Sequence, residues 1–206
     1  MCNYKFQSKH FGLASATDSE ASHERLVYAI NVNGARNFMI DFGKFNDTSE
    51  YILPWDGNCF LTHAAWHAIQ EGLRQNKGQK YFFVPMDRLS TQNQVLLSDS
   101  YKPNPVEEPQ VIFSRHSLAV FNPNLAYGNR NKVEIFNRLE TGRPKQEKYW
   151  RKWEKAIVDQ YQFAADAAED HVPRIGWVSR LFSGVQSSEA SSKARRISRE
   201  LALEQF

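Results

Sequence analysis

Residues Pro54-Trp55-Asp56-Gly57-Asn58-Cys59-Phe60 constrain this chain more than any other stretch. Proline ends a short β-rich run, Tyr51-Ile52-Leu53, because it donates no ladder hydrogen bond. Asp-Gly then marks a turn. Asn58 suits a helix N-cap, so the reading is a helix from Phe60 to Lys77 with Cys59 in its first turn. Phe60, Leu61, Ala64, Ala65, Ala68, Ile69 and Leu73 cover much of that helix. A helix this apolar belongs in the middle of a domain, and Gly78 closes it.

The flanking sequence supplies the rest of an α+β domain. Arg25–Val32 and Arg36–Phe42 flank Asn33-Gly34, a strong hairpin signal because both residues tolerate positive φ. Tyr81–Pro85, Gln110–Ser114, Ser117–Asn122 and Lys132–Phe136 read as further strands, and the proline-bearing residues 87–109 as a long loop. The expected fold is an antiparallel sheet packed on a central helix, with a C-terminal helical extension. Pro144 suits the first turn of a helix over 145–168. There Trp150, Trp153, Ile157, Tyr161, Ala164 and Ala168 recur at three- and four-residue steps and make one stripe. Residues 1–24 read as a polar arm, 25–182 as the domain, and 183–206 as a Gly/Ser-rich linker and a peripheral amphipathic helix carrying Arg195 and Arg196.

Composition narrows the function classes. Hydrophobic residues make up 41% of 206, with 14 Phe, 8 Tyr and 5 Trp, so a chain of this size can bury roughly 70% of its unfolded surface. The net charge of +3 is too mild for a dedicated nucleic-acid binder, and that class ranks third. Two cysteines, Cys2 and Cys59, allow no disulfide framework and suit reducing surroundings. No apolar run approaches 18 residues and no signal-peptide pattern follows Met1, so the expected location is the cytoplasm, that of the host if the chain is viral. His63 and His67 stand four apart, but no third ligand joins them, and neither a metal nor another cofactor is expected. Asp41-Phe42-Gly43 has no accompanying kinase motif.

The chemistry therefore centres on Cys59. A cysteine attacks as thiolate, and a helix N-terminus or a nearby histidine lowers its pKa. Asp56-Gly57-Asn58-Cys59 followed by Phe60 and a helix resembles the nucleophile segment of the ovarian-tumour-domain (OTU) cysteine proteases, within the wider papain-like group. The match covers about 15–20 residues. The resemblance implies a Cys/His peptidase acting on a protein amide bond, a ubiquitin-like tail or a polyprotein junction, with backbone N–H groups from Asp56 to Cys59 holding the oxyanion. His116, leading the apolar run Ser117–Phe121, is the preferred base and His171 the second choice. The chain departs from the family at Leu118, where a polar residue would orient the imidazole. Asn122, Asn124, Asn129 or Asp56 would have to take that part. The alternative is a non-catalytic interaction or assembly protein, for example of a virus or phage. It would hold a protein partner through Trp150, Trp153, Arg195 and Arg196. A cysteine beside a turn is also often a small buried hydrophobe.

Overall fold

The computed structural model describes residues 29–46, 48–90, 92–127, 132–141 and 171–182. The expected arm, the Trp150/Trp153 stripe, the linker, Arg195, Arg196 and Asn129 lie outside the described residues. Within them the chain is a mixed α+β domain. The elements in order are α1 (Val32–Phe45), β1 (Tyr51–Ile52), β2 (Cys59–Phe60), α2 (His63–Gln75), β3 (Tyr81–Arg88), a 3-10 turn (Asn93–Leu97), β4 (Glu107–Ser114), α3 (Val133–Thr141) and β5 (Val178–Arg180). No helix among the described residues is long and apolar enough to cross a membrane.

Five strands form one curled sheet in the order β1-β4-β3-β5-β2. The β1/β4, β3/β4 and β2/β5 pairs are antiparallel, whereas β3 and β5 run parallel. The expected all-antiparallel sheet is thus corrected to a mixed one. The register Tyr81↔Phe113, Phe82↔Ile112 and Val84↔Gln110, with strand side chains alternating faces, sorts the core into two layers. Tyr81, Phe83, Val111 and Phe113 meet Ile40 of α1 and Ile135 and Leu139 of α3. Phe82, Val84, Met86 and Ile112 meet Ile69 of α2, with Cys59, Ile175 and Val178. A strand covered on both faces reads as a continuous apolar run, as Tyr81–Val84 does.

Three expected strands are not strands. Asn33-Gly34 lies in the first turn of α1 rather than in a hairpin. Asn31 caps that helix, its Oδ1 accepting from the Gly34 N–H at 2.7 Å. The helix buries Asn33, Arg36 and Ile40 at three- and four-residue steps, and that burial outweighs the local turn signal. Residues 132–136 open α3, where Arg138 grips Glu134 at 2.7 and 3.1 Å with both side chains buried. Residues 117–122 pair with side chains instead of a neighbouring strand. The Ala119 N–H donates to Tyr81 Oη at 2.9 Å, Asn37 both donates to and accepts from the Phe121 backbone, and Arg138 donates to the Val120 carbonyl. Every such backbone group needs a partner once buried, and α1, α3 and Tyr81 of β3 supply it.

Helix α2 approaches the β3-side segment closely through Gly72. A Cβ there would stand 2.4 Å from Ile175 Cγ2, far inside van der Waals contact. Alanine at position 72 gains about 1 kcal/mol of helix propensity but overpacks this contact, at about 1–3 kcal/mol. Gly72→Ala is therefore expected to cost up to about 2 kcal/mol net and to lower the thermal midpoint by up to about 8 °C. A raised midpoint in a thermal melt would contradict the close packing of α2 on Ile175.

Candidate functional site

The Pro54–Cys59 stretch folds as a turn followed by a strand. The Cys59 N–H donates to the Asp56 carbonyl at 2.9 Å, closing the turn. Cys59 and Phe60 then pair with Arg180 and Ser179 of β5, and the Leu181 N–H donates to the Asn58 carbonyl at 2.9 Å. The helix starts only at His63, capped by Thr62, whose hydroxyl accepts from the Ala65 N–H at 3.2 Å. This corrects the expectation that Asn58 caps the helix and that Cys59 sits in its first turn. Thr62 is also a favoured cap, and edge pairing with β5 takes Cys59 and Phe60. Cys59 thus lies four residues before α2, without the helix N-terminus that would stabilise a thiolate.

Asp56 is the centre of the polar arrangement. Its Oδ1 accepts from Arg36 Nη2 at 3.2 Å, and its Oδ2 from Gln110 Nε2 at 3.0 Å and Lys132 Nζ at 2.9 Å. Lys132 Nζ also donates to Gln110 Oε1 at 3.0 Å. Arg36 Nη1 donates to Asn33 Oδ1 at 2.9 Å, and Asn33 Nδ2 to the Asn122 carbonyl at 2.8 Å. One connected network therefore runs from Asn122 through α1 to Asp56. Arg36, Gln110 and Lys132 are buried and Asp56 is half-buried. Burial alone would push the Asp56 carboxyl up. The Lys132 ammonium, the hydrogen bonds from Gln110 and Lys132, and the Arg36 charge outweigh it and hold the carboxyl well below the usual range. Burial pushes the Lys132 ammonium down, against the pull of Asp56, and the Arg36 charge adds to the shift.

Cys59 touches this network from the side. Its Sγ is 3.7 Å from Gln110 Nε2, 3.9 Å from Asn58 Oδ1 and 4.0 Å from Met86 Sδ. The residue is only 8% exposed. Burial raises its pKa and the Asp56 charge raises it further, with Lys132, Arg180 and Gln110 opposing. The group at neutral pH is a thiol.

The structure brings Asp56 and Cys59 together and reaches Asn122 through its backbone carbonyl. Among the described residues no histidine is a hydrogen-bond partner of Cys59. His116 lies exposed in the turn after β4, its own N–H donating to Ser114 Oγ at 3.2 Å. The strand from Gln110, which touches Cys59, to Ser114 spans about 13 Å at the usual rise per residue. His171 is exposed ahead of Val172, and His63 and His67 face outward on α2 with ring centroids 5.9 Å apart. Among the described residues no group of three His, Cys, Asp or Glu side chains could hold a metal.

Beside the network opens a cleft of about 560 Å³, whose lining includes Arg36, Trp55, Asp56, Asn58, Lys132 and Arg180. Sequence reading missed Arg36, Gln110 and Lys132. A polar Gln110 opening an apolar strand was the one available signal. Lys132 carried none, because only the tertiary fold turns it inward. No family model, curated protein or solved structure matches the chain.

The depressed folded-state pKa of Asp56 makes its contribution present above the unfolded carboxyl pKa of about 3.9 and lost as pH falls through the folded value. Asp56→Asn removes the anion between two cations. With the discount for partial exposure, this is expected to cost about 2 kcal/mol at pH 7. Denaturant unfolding should show this gap unchanged between pH 7 and 5 and narrowing below about pH 4. Equal stability of the two proteins at pH 7 would sink the network as a stabilising element.

Proposed function

We propose that this domain is a non-catalytic interaction module that holds a short segment of a protein partner in the cleft between α1, the 55–58 turn and Lys132. One contrast carries the reading. The thiol is buried and has no histidine at hydrogen-bond distance among the described residues, whereas the cleft beside it is open. Its size falls within the usual range for ligand sites, and its lining combines apolar bodies with a few convergent polar groups. Met39, Trp55, Met86 and Tyr127 provide the apolar surface. Methionine adapts to varied side chains, and tryptophan and tyrosine offer large contact area with a polar end. Binding of this kind needs no thiolate and uses the cluster as it stands.

Cysteine peptidase chemistry is a second reading, favoured by one observation. Gln110 directs a carboxamide N–H at Cys59 Sγ from 3.7 Å, and a donor near the nucleophile is what an oxyanion requires. In that reading Cys59 attacks the carbonyl and His116 takes and returns the proton. It requires His116 to travel from the end of β4 to the thiol.

Ala35 is exposed, helical and lines the cleft, so Ala35→Trp should plug it without disturbing the core. Peptides selected from a displayed random library on the wild-type protein are expected to bind the Ala35→Trp protein at least tenfold more weakly. Selected peptides that bind both proteins alike would overturn the cleft as the binding site. A ubiquitin-vinyl-sulfone adduct on Cys59, lost in His116→Ala, would instead establish the peptidase. The binding reading predicts no adduct.

A further inference from the structure

We propose that α1 is the contact surface of a homodimer, in which two copies of this chain pack antiparallel through Phe38, Phe42 and Phe45. None of these three rings lines the cleft, so the inference stands apart from the binding reading above.

The helix supplies the first observation. Its buried residues are Asn33, Arg36 and Ile40, and three- and four-residue steps keep them on one face. Phe38, Phe42 and Phe45 repeat those steps on the opposite face, where they are 70%, 69% and 87% exposed. A helix on the surface of a domain normally turns a polar face to water. The outward face of α1 is aromatic instead. The Phe38 and Phe42 rings stack with centroids 6.4 Å apart, which joins them into one apolar ridge.

Area supplies the second. A buried aromatic side chain covers about 150–250 Å², so at these exposures the ridge offers about 450 Å² per copy and about 900 Å² across a pair. A specific interface begins near about 1,000 Å² in total. Contact by the neighbouring exposed residues Ala35 and Asp41 brings the pair to that bound. The dimer therefore belongs to the small, reversible class.

Shape and charge select the occupant. Phe42 stands near the middle of the ridge, four residues after Phe38 and three before Phe45. Turning a second copy end for end sets Phe42 against the partner's Phe42 and Phe38 against the partner's Phe45. A two-fold contact requires this self-complementarity, and ring-on-ring pairs are favourable beyond their area. A lipid surface fits less well, because interfacial helices carry lysine and arginine along their polar flank. On α1, Arg36 is buried, Lys44 donates to the Ser117 carbonyl, and Asp41 is the one exposed charge.

The test is sedimentation velocity of the full chain at micromolar to sub-millimolar concentration. The wild-type protein is expected to pass reversibly from monomer to dimer as concentration rises. Phe42→Glu should weaken dimerisation at least tenfold, because it sets like charges face to face, and Phe42→Lys should do the same. Mixed in equal amounts, these two variants should form a heterodimer at least fivefold tighter than either homodimer, since position 42 faces itself. Phe38→Ser serves as the second variant if the Phe42 variants lose their helical circular dichroism. Leu97→Ser, on the 3-10 turn and 84% exposed, is the control and should leave dimerisation unchanged. A monomer at every concentration, a dimer untouched by Phe42→Glu and Phe38→Ser, or no rescue in the mixture would overturn the proposal. Two further outcomes would overturn it by naming another occupant. A monomeric wild type that binds phosphatidylcholine–phosphatidylserine vesicles, where Phe42→Glu does not, would assign the ridge to lipid. A monomeric wild type whose thermal midpoint falls on Phe42→Glu would assign it to another segment of the same chain.

Discussion

The structure depends on one carboxylate accepting from three segments at once. Asp56 draws Arg36 from α1, Gln110 from β4 and Lys132 from the start of α3 onto a single turn. These residues are 20, 54 and 76 positions away in sequence. Such a network is favourable only when nearly every member is satisfied. Taking away the anion would leave two buried cations facing each other. The turn that holds Asp56 is in turn fixed by the Cys59 N–H bonding back to its carbonyl and by β2 pairing with β5. Local turn chemistry and long-range ionic contacts thus fix the same few residues.

The same carboxylate sets the character of Cys59. A nucleophilic cysteine needs a positive surrounding and some access to water. Here burial and the Asp56 charge raise the thiol and outweigh the opposing Lys132 and Arg180, of which Lys132 is already engaged with Asp56. That balance at the sulfur is why the account favours binding over catalysis at this site, although motif and turn resemble a protease segment.

Much of the frame was legible from sequence, for identifiable reasons. Tyr81–Val84 and Val111–Phe113 are apolar runs covered on both faces, and they declared themselves as strands. The 63–75 helix was visible in its apolar spacing, while its start was misplaced because both Asn58 and Thr62 can cap. The N-terminal hairpin failed because Asn33-Gly34 is a strong local signal, yet Asn33 is needed inside α1 to bridge Arg36 and Asn122. Residues 117–122 look like a strand, but their partners are the side chains of Tyr81, Asn37 and Arg138. No single-sequence pattern encodes that. At the site, Asp56 and Cys59 were found through the turn motif. Arg36 and Lys132 were invisible, because a basic residue with a solvated side chain and one folded inward look the same along the chain.

The central claim, that Asp56 and burial keep Cys59 a protonated thiol beside a binding cleft, can be read from one titration. In the Cys2→Ser protein, the rate of iodoacetamide reaction at Cys59 is followed from pH 6 to 10. The account predicts a rate well below that of a free thiol at neutral pH, with a midpoint above the ordinary cysteine value of about 8.5. A midpoint below about 7, with fast reaction at neutral pH, would contradict it and return Cys59 to the role of nucleophile.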